Sequence, residues 1–402
     1  MSAPVASETL NSSQTTTSMA TSQCGELLHV IVCGGGVIGC CTAYYLGKKG
    51  VKVTVVERTG IACAASGKAG GFLALDMCDG SAIEELARAS FALHAELADE
   101  LGGESYGYRR INSLNVDVEE PQAAQHPSER VLEAGTPAWI DGPIKGMPSS
   151  MGTTSTNAQV HPQLFTRAVF SAAQKKYGAS LLIGEVQEVK VENQRAVGVV
   201  VDGKLIAGNA VVLALGPWSS RNPLISSFTT ISALKSQSIV LLPKNPGAIS
   251  AHALFLQYKT KEGKVIDPEI EIYPRGTGEV YVCGTSEQME VPDDALKVLP
   301  RDDVTAMLQG VASTVSSHLA DAEVSVSQAC FLPISEDDVP VIGKLPDLEG
   351  AFVATGHSCW GILNAPATGS ALAELIVDGS PRTCSLKPFD PSRFSKMRSL
   401  SQ

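Results

Sequence analysis

The stretch Leu27-Leu28-His29-Val30-Ile31-Val32-Cys33-Gly34-Gly35-Gly36-Val37-Ile38-Gly39 decides the fold of this chain. Its first seven residues form an apolar run of the kind found in strands that are buried on both faces. The glycines that follow fit the pattern G-x-G-x-x-G, which binds a dinucleotide when it joins a strand to a helix. The pattern predicts a tight turn at Gly34, close approach of a pyrophosphate at Gly36, and close packing of helix on strand at Gly39.

The sequence after the glycines completes this unit. We predict a helix from Cys40 to Lys49 and a second strand from Val51 to Val56, closed by Glu57. The helix N-terminus would offer unpaired N–H groups to the phosphates. Glu57 stands where a carboxylate accepts hydrogen bonds from ribose hydroxyls, and its charge disfavours a 2′-phosphate there. A glycine-rich turn without a ligand is the alternative, but the full unit in order favours dinucleotide binding.

Composition excludes several classes of partner. The chain has 402 residues, 44% hydrophobic and 18% charged, which suits a globular protein with room for two domains. The net charge of −11 argues against nucleic acid as a partner, and no apolar run is long enough to span a membrane. The ten cysteines show no C-x-x-C pairing and predict reduced thiols, and we expect no metal site.

The first 26 residues are rich in Ser and Thr and contain no Lys or Arg. Such a segment is predicted to be a disordered tail without an N-terminal targeting signal, which favours a cytoplasmic location. The oligomeric state stays open.

Apolar periodicity and capping signals place further elements along the chain. We predict a helix that Ser81 caps, with Glu84 at the capping-box position, and that ends at Leu101. The other predicted helices cover residues 162–177, 292–319 and 368–376, and the predicted strands lie within 180–201, 210–215, 231–284 and 351–355.

Separated blocks of sequence then carry a family resemblance. Besides the glycine pattern with Glu57, they are Ala65-Ser66 with Gly70-Gly71, the run Val-Val-Leu-Ala-Leu-Gly-Pro-Trp that ends at Trp218, residues 356–366, and a weaker match at Tyr273-Pro274-Arg275. In this order the blocks resemble the D-amino-acid oxidase superfamily of FAD-dependent oxidoreductases, in particular its glycine oxidase and sarcosine oxidase branch. Uncharacterised oxidoreductases of that superfamily are more similar than any enzyme with a defined substrate.

The resemblance implies an α/β fold with two domains. A Rossmann-like FAD-binding domain with a parallel sheet would comprise residues 27–105, 155–225 and 326–390. A second α+β substrate domain, with a largely antiparallel sheet, would comprise residues 106–154 and 226–325.

FAD is the cofactor that the resemblance implies, and its contacts would come from every block except the weaker match at 273–275, with Val186 in addition. The residues implied to hold it are Gly34, Gly36, Val37, Ile38, Gly39, Glu57, Arg58, Ala65, Ser66, Gly70, Gly71, Phe72, Val186, Gly216, Trp218, Gly356, His357, Gly361, Ile362 and Leu363. Relatives of this kind pass a hydride from an amine-bearing carbon to flavin N5, and oxygen then yields hydrogen peroxide. The substrate would be a small amine or amino acid.

Two positions depart from the family pattern. Glycine and D-amino-acid oxidases hold the substrate carboxylate with an arginine where this chain has Leu332, and glycine oxidases carry another at the position of Cys359. A carboxylate buried without such a partner costs several kcal/mol, so an ordinary small amino acid fits poorly. Arg275 or Lys235 could compensate. We therefore predict a substrate pocket at Tyr273, Arg275, Cys359 and Trp360, with a surface-turn arginine as the alternative for Arg275.

Cys330 and His357 have two readings each. In sarcosine oxidases a cysteine that corresponds to Cys330 is bound covalently to the flavin, whereas a cysteine in a buried strand is usually a small hydrophobic residue. His357 is expected to contact the flavin rather than to act as a general base.

Three functions compete at this point. The first is an FAD-dependent oxidoreductase that acts on a C–N bond, with a less polar or bulkier substrate than glycine. The second is a flavoprotein with reduced catalytic competence that serves as a scaffold or regulator of trafficking or complex assembly. A nicotinamide-dependent dehydrogenase is the third, and the block at 356–366 argues against it, because NAD enzymes do not need that block.

Overall fold

The computed structural model of this protein describes residues 28–121, 135–266 and 270–394. The predicted tail at 1–26 lies outside the described residues. The strands are β1 His29–Cys33, β2 Lys52–Glu57, β3 Phe72–Ala74, β4 Arg109–Arg110, β5 Asn112–Glu119, β6 Ser149–Gly152, β7 Asn157–Gln159, β8 Ser180–Ile183, β9 Val186–Glu192, β10 Arg195–Val201, β11 Lys204–Ala207, β12 Ala210–Leu213, β13 Ile231–Leu242, β14 His252–Lys259, β15 Ile270–Pro274, β16 Val280–Gln288, β17 Glu323–Ser335, β18 Val341–Lys344 and β19 Ala351–Thr355. The helices are α1 Val37–Lys48, α2 Ala65–Lys68, α3 Glu84–Leu101, α4 Pro162–Tyr177, α5 Pro223–Ser226, α6 Asp302–Val315, α7 Ser317–Ala320 and α8 Gly361–Asp378.

A six-stranded sheet forms the first half of the molecule, in the order β18-β19-β12-β1-β2-β8. Strand β1 lies inside it and pairs in parallel with β2 and with β12. Residues 30–33 of β1 are fully buried, because helices cover one face of the sheet and the small sheet β11-β10-β9 packs near the other. The expected α/β fold with a parallel sheet is confirmed.

The helices on this sheet pack closely through small residues. A Cβ atom added to Gly369 of α8 would lie 2.6 Å from the Cys41 backbone carbon of α1, so the two helix backbones are in contact. Such contact requires glycine. The junction brings the C-terminal block of the sequence against the first βα unit.

A seven-stranded sheet forms the second half, in the order β17-β13-β16-β15-β14-β5-β6. Only the β14–β5 pair is parallel among its described pairs. One face packs its apolar residues, among them Ile270 and Ile272, against α6. Tyr273, Tyr281 and Phe255 lie in a separate apolar cluster, which continues to Phe72 beside the first sheet. Side chains therefore alternate between a core face and a face that is available to a site.

Several predicted boundaries differ from the observed ones. Helix α1 begins at Val37 rather than Cys40, because the last glycine of the pattern lies inside the first turn. Helix α3 begins at Glu84, and the Glu84 side chain accepts from the Gly80 N–H at 2.8 Å while Ser81 lies before the helix. Within the predicted helix at 292–319, the structure has α-helix only in α6 and the short α7. A single 3₁₀ turn at Ala295–Lys297 precedes them.

Helix α8 begins at Gly361, seven residues before the predicted start at Thr368. Pro366 lies inside it, and a proline has no N–H to offer the carbonyl of Ile362 four residues earlier. His94 Nε2 of α3 bonds to that carbonyl instead, at 2.9 Å. Since the carbonyl only accepts, His94 carries its proton on Nε2. This donor, 268 residues away in sequence, lets the helix continue through the proline.

Strand β17 contains one of the predicted domain boundaries. It pairs with β13 from Glu323 to Ser335, so the proposed domain boundary at residue 326 falls inside one long strand of the antiparallel sheet. Within the described ranges, no helix combines the length and the apolar character that crossing a membrane requires.

Candidate active site

A cavity of about 870 Å³ is lined by residues of both large sheets. Gly34 and Gly36 of the glycine pattern line it together with Glu57, as do the loop at 357–361, Leu332 of β17, and four Phe and Tyr residues. These four, which we call the aromatic wall, are Phe72, Phe255, Tyr273 and Tyr281. The cavity thus brings together the sequence blocks that are far apart along the chain.

The three glycines of the pattern are needed for different reasons. Gly34 has φ +116°, and a Cβ there would lie 2.2 Å from the carbonyl oxygen of Ala214. A Cβ on Gly39 would lie 2.0 Å from the oxygen of Gly34, so this glycine permits the packing of helix on strand and does not itself line the cavity. A Cβ on Gly36 would meet only Ser66 Oγ, at 3.1 Å. Gly36 therefore leaves room on the cavity side.

The N-terminus of α1 lies at the cavity. Its N-cap residue, Gly36, makes no side-chain capping bond, and Val37 and Ile38 line the cavity. The Val37 N–H donates to Ser66 Oγ at 2.9 Å. A helix N-terminus with unpaired N–H groups and a neighbouring hydroxyl is suited to a diphosphate.

Glu57 closes β2 beside the glycines. Its Oε2 accepts from the Gly35 N–H at 2.7 Å and its Oε1 from the Thr59 N–H at 2.8 Å, so the carboxylate is fixed in place. A carboxylate has further acceptor sites for ribose hydroxyls. Arg58 lies 5.8 Å from the ring centroid of Trp218 and 3.5 Å from Glu185, where these residues line the cavity next to Val186. We call this the adenosine end.

The loop at 357–361 borders another part of the cavity, between β19 and α8. Gly356 has φ +77°, which directs the chain from β19 into this loop. His357 is buried, with Nε2 3.0 Å from Thr368 Oγ1, and burial lowers the pKa of His357 to about 3. The imidazole is therefore neutral at physiological pH and is a poor general base.

Most residues predicted to hold the cofactor line this cavity. Those that do not are Gly39, Gly356 and Leu363, which instead shape the backbone or the core around it. Tyr273, Cys359 and Trp360 of the predicted substrate pocket line the cavity as well.

Arg275 does not line the cavity. It is buried, with Nη1 2.6 Å from Glu279 Oε1 and Nη2 donating to the Ala69 carbonyl at 2.9 Å. Hydrogen bonds from His161 and Arg275 lower the pKa of Glu279 to about 2. Lys235 is likewise paired, at 3.2 Å from Glu287, and is absent from the lining. We therefore assign Arg275 to the packing of the loop that carries Gly70, and neither the predicted substrate role nor the surface-turn alternative fits its position.

Sequence reasoning missed Glu271, which lines the cavity two residues before Tyr273. Tyr273 Oη donates to Glu271 Oε2 at 2.6 Å, and Cys283 Sγ lies 3.3 Å from the same oxygen. Burial and the charge of Glu271 raise the pKa of both donors, Tyr273 and Cys283. One signal was present in the sequence: alternation with the core residues Ile270 and Ile272 places Glu271 and Tyr273 on the other face of β15.

Cys330 lies in β17 and lines the cavity. Burial raises the pKa of the Cys330 thiol to about 11, and the positive charge of Lys68 opposes this. Lys68 Nζ donates to the neighbouring carbonyl of Ala329 at 2.9 Å. The thiol is thus near the expected flavin position but is mostly protonated at neutral pH.

These features together fit FAD. A glycine-lined helix N-terminus, a fixed carboxylate at the end of β2 and a loop ahead of a second helix face one cavity, as a long dinucleotide requires. The fit rests on the space that Gly36 leaves beside the N-terminus of α1, and on the fact that these parts all line one cavity.

Comparison with known proteins agrees with this fit. The family model described as FAD dependent oxidoreductase matches residues 29–375. A Schizosaccharomyces pombe protein named "Putative oxidoreductase C1F5.03c" is 30% identical over an alignment of 389 positions that covers 90% of this chain and 97% of that protein. A glycine oxidase of Pseudomonas aeruginosa is 27% identical over 376 residues, covering 88% of this chain and 96% of the oxidase.

A solved structure has the same fold. The crystal structure of glycine oxidase from Geobacillus kaustophilus superposes with a TM-score of 0.73 at 23% identity, covering 90% of this chain and 98% of that one. At this identity the likeness concerns the fold and leaves the substrate open.

Proposed function

This chain belongs to the family of FAD-dependent oxidoreductases, and from that premise we propose that it oxidises a carbon–nitrogen bond of a small amine with molecular oxygen as electron acceptor. Bound FAD supplies the two-electron redox chemistry. In the overall reaction the substrate carbon gives up a hydride and the nitrogen a proton. Water hydrolyses the resulting imine to a carbonyl compound and an amine, and oxygen takes up two electrons and two protons to leave as hydrogen peroxide.

One observation supports this proposal. The same cavity is lined by the N-terminus of α1 and, on the seven-stranded sheet, by a wall of aromatic residues with Glu271 in it. Glu271 lies near Cys359 of the loop at 357–361. Loss of hydration raises the pKa of the Cys359 thiol most, and the negative charge of Glu271 raises it further. A substrate on that wall would therefore lie next to the loop that the resemblance assigns to the flavin ring.

The chain's own residues position and shield the reactants. The α1 N-terminus and Ser66 would hold the diphosphate, and Glu57 the ribose. The aromatic wall would exclude water from the reacting carbon. Because His357 is neutral and paired with Thr368, it would contribute a fixed dipole rather than a proton.

The test is spectroscopic. The purified full chain is expected to show flavin absorbance bands near roughly 370 and 450 nm. These should bleach without oxygen when one of a panel of secondary amines, D-amino acids or N-methyl amino acids is added. Readmitted air should restore the bands with a stoichiometric release of peroxide. A yellow protein that no amine bleaches would overturn the proposal and favour the scaffold or regulatory role, for which the replaced arginine positions at Leu332 and Cys359 are the supporting observation.

We also propose a reducing compartment, the cytoplasm, as the place of action. The nine cysteines among the described residues form no disulfide, and most are buried.

A further inference from the structure

The charged side chains that line the cavity are unevenly distributed. Among the described lining residues they are Glu57, Arg58, Glu185, Arg221 and Glu271. Arg58 pairs with Glu185, and its guanidinium lies over Trp218. Trp218 Nε1 and the Arg221 side chain both donate to backbone oxygens of the segment 291–292, so Arg221 belongs to this same adenosine end. Glu271 lines the cavity away from this end, within the aromatic wall, where Tyr273 and Cys283 bond to it.

Glu271 is built into the aromatic wall. Tyr273 stacks between Phe72 and Tyr281, with centroid distances of 5.6 and 6.0 Å, and Phe255 meets Tyr273 edge to face at 5.8 Å. The Tyr273 hydroxyl and the Cys283 thiol both bond to Glu271 Oε2. A carboxylate in such apolar surroundings attracts a cation more strongly than it would in water. Carboxylates can accept more than two hydrogen bonds, so these donors are compatible with an ammonium as a further one.

Among the described residues that line the cavity, none beside this wall is cationic, and the nearby Lys68 donates its Nζ to the Ala329 carbonyl without lining the cavity. Leu332 and Cys359 occupy the positions at which relatives were expected to carry arginine, and both line the cavity. Lys235 and Arg275 are paired elsewhere. A carboxylate placed here would lose its hydration next to another negative charge, which costs several kcal/mol.

We propose that the substrate is a positively charged alkylamine without a carboxylate, and that Glu271 is the side chain that recognises its charge. This inference rests on the proposed function for the oxidation itself, but it concerns recognition and is testable through binding alone. Glu271 is a specificity-determining residue in this account. The aromatic wall contacts the alkyl chain of the same substrate.

Binding is measured first, with the FAD-loaded full chain and tetramethylammonium as a cation without an N–H bond. Perturbation of the flavin absorbance bands during titration gives its Kd. We expect Glu271→Gln, which keeps the size and an acceptor oxygen but removes the charge, to weaken tetramethylammonium binding at least 10-fold. The matched control Glu349→Gln makes the same change at an exposed carboxylate that pairs with Arg195 outside the cavity lining, and should change this Kd less than 3-fold. Equal FAD content and thermal midpoints for the three proteins establish that they are comparably folded.

Selectivity is measured next, with ligands that differ at one end. N-methylbutylamine and N-methyl-1,4-butanediamine are compared with 4-(methylamino)butanoate, whose far end is a carboxylate. The two amines should bind at least 10-fold more tightly than the amino acid, and Glu271→Gln should reduce that preference to less than 3-fold. Equal affinity for the amino acid, or a preference that Glu271→Gln leaves unchanged, would overturn the inference.

The two proposals fail in different ways. If 4-(methylamino)butanoate bleaches the flavin as efficiently as N-methylbutylamine does, the proposed recognition by Glu271 is wrong and the proposed amine oxidation stands. If cations bind in a manner that depends on Glu271 and no amine bleaches the flavin, the oxidation is wrong while the binding assignment stands.

Discussion

The backbone N–H of Val37 donates a hydrogen bond of 2.9 Å to the hydroxyl of Ser66, which ties the start of α1 to the short helix α2. We expect Ser66→Ala to weaken FAD binding about 10-fold, because the Ser66 hydroxyl would also donate to the diphosphate. A hydrogen bond to a charged group contributes roughly 1.5–3 kcal/mol, and in the variant a water molecule replaces part of that contribution. Equilibrium dialysis with the released flavin measured by fluorescence checks this. Ser66→Thr should restore most of the affinity, and Ser105→Ala, in an exposed turn far along the chain, should have no effect.

The glycines of the pattern should separate folding from cofactor binding. Gly36→Ala places a Cβ next to Ser66 Oγ only, so the variant should fold with nearly unchanged stability and bind FAD at least 10-fold more weakly. Gly39→Ala drives a Cβ to 2.0 Å from the Gly34 oxygen and should cost about 3 kcal/mol or more of stability by overpacking. Thermal unfolding of the FAD-free proteins distinguishes the two. Similar stability losses in both variants would contradict the assignment.

His94 should make stability depend on pH. Burial lowers the pKa of His94 to about 4, below its value in an unfolded chain. Between about pH 6.5 and pH 4 the unfolded state binds a proton that the folded state does not, so the free energy of unfolding decreases as the pH falls, by roughly 3 kcal/mol for this residue. Denaturant unfolding at pH 7 and pH 4.5 measures it.

A matched pair of variants assigns that effect. Glutamine at position 94 keeps an N–H donor for Ile362 but does not titrate, so His94→Gln should flatten the pH dependence. His94→Ala leaves the Ile362 carbonyl unsatisfied beside Pro366 and should cost about 1–3 kcal/mol at pH 7 as well. An unchanged slope in His94→Gln would show that other groups cause the pH dependence.

Arg275 should prove structural. Arg275→Met removes one partner of the partly buried Glu279, which keeps His161 at 3.3 Å, and is expected to lower stability by roughly 1–3 kcal/mol. The double variant Arg275→Met, Glu279→Leu removes both charges and should regain most of the loss, with KM for an amine substrate within 3-fold of wild type. A stable Arg275→Met protein with a KM raised 10-fold or more would instead restore Arg275 as a substrate ligand.

Cys330 should leave the flavin free to dissociate. Because burial raises the pKa of its thiol to about 11, little thiolate is present to attack the ring at pH 7. Precipitation with trichloroacetic acid is therefore expected to leave the yellow colour in the supernatant, and Cys330→Ser should behave in the same way. Colour that stays with the wild-type pellet and leaves with Cys330→Ser would establish the covalent link.

The parts of this fold that the sequence predicts are those with local signals. The apolar run before Gly34, the glycine pattern and the acid at Glu57 each depend on neighbours within one βα unit, and the structure has each of them in that place. The loop blocks at 65–71 and 356–361 were predicted from their small residues and from the family resemblance, and residues of both blocks line the cavity.

The parts that were missed depend on residues far apart in sequence. Pro366 signals the end of a helix unless one knows that His94 supplies the missing donor. Glu271 looks like an exposed strand residue until the sheet fixes which face of β15 meets the cavity. Arg275 was misplaced because its guanidinium also donates to the Ala69 carbonyl, 206 residues away, and this contact exists only in the folded chain.

The course of β17 limits how this enzyme can be re-engineered. Its alternate residues Cys330 and Leu332 face the cavity, and Ile334 bridges to His357 in the loop next to α8. A bulkier side chain at position 332 would push on the same rigid strand that holds this loop. Variants with a wider substrate range should therefore arise first at Met77 and Met151, which line the cavity from outside β17 and carry adaptable thioether chains.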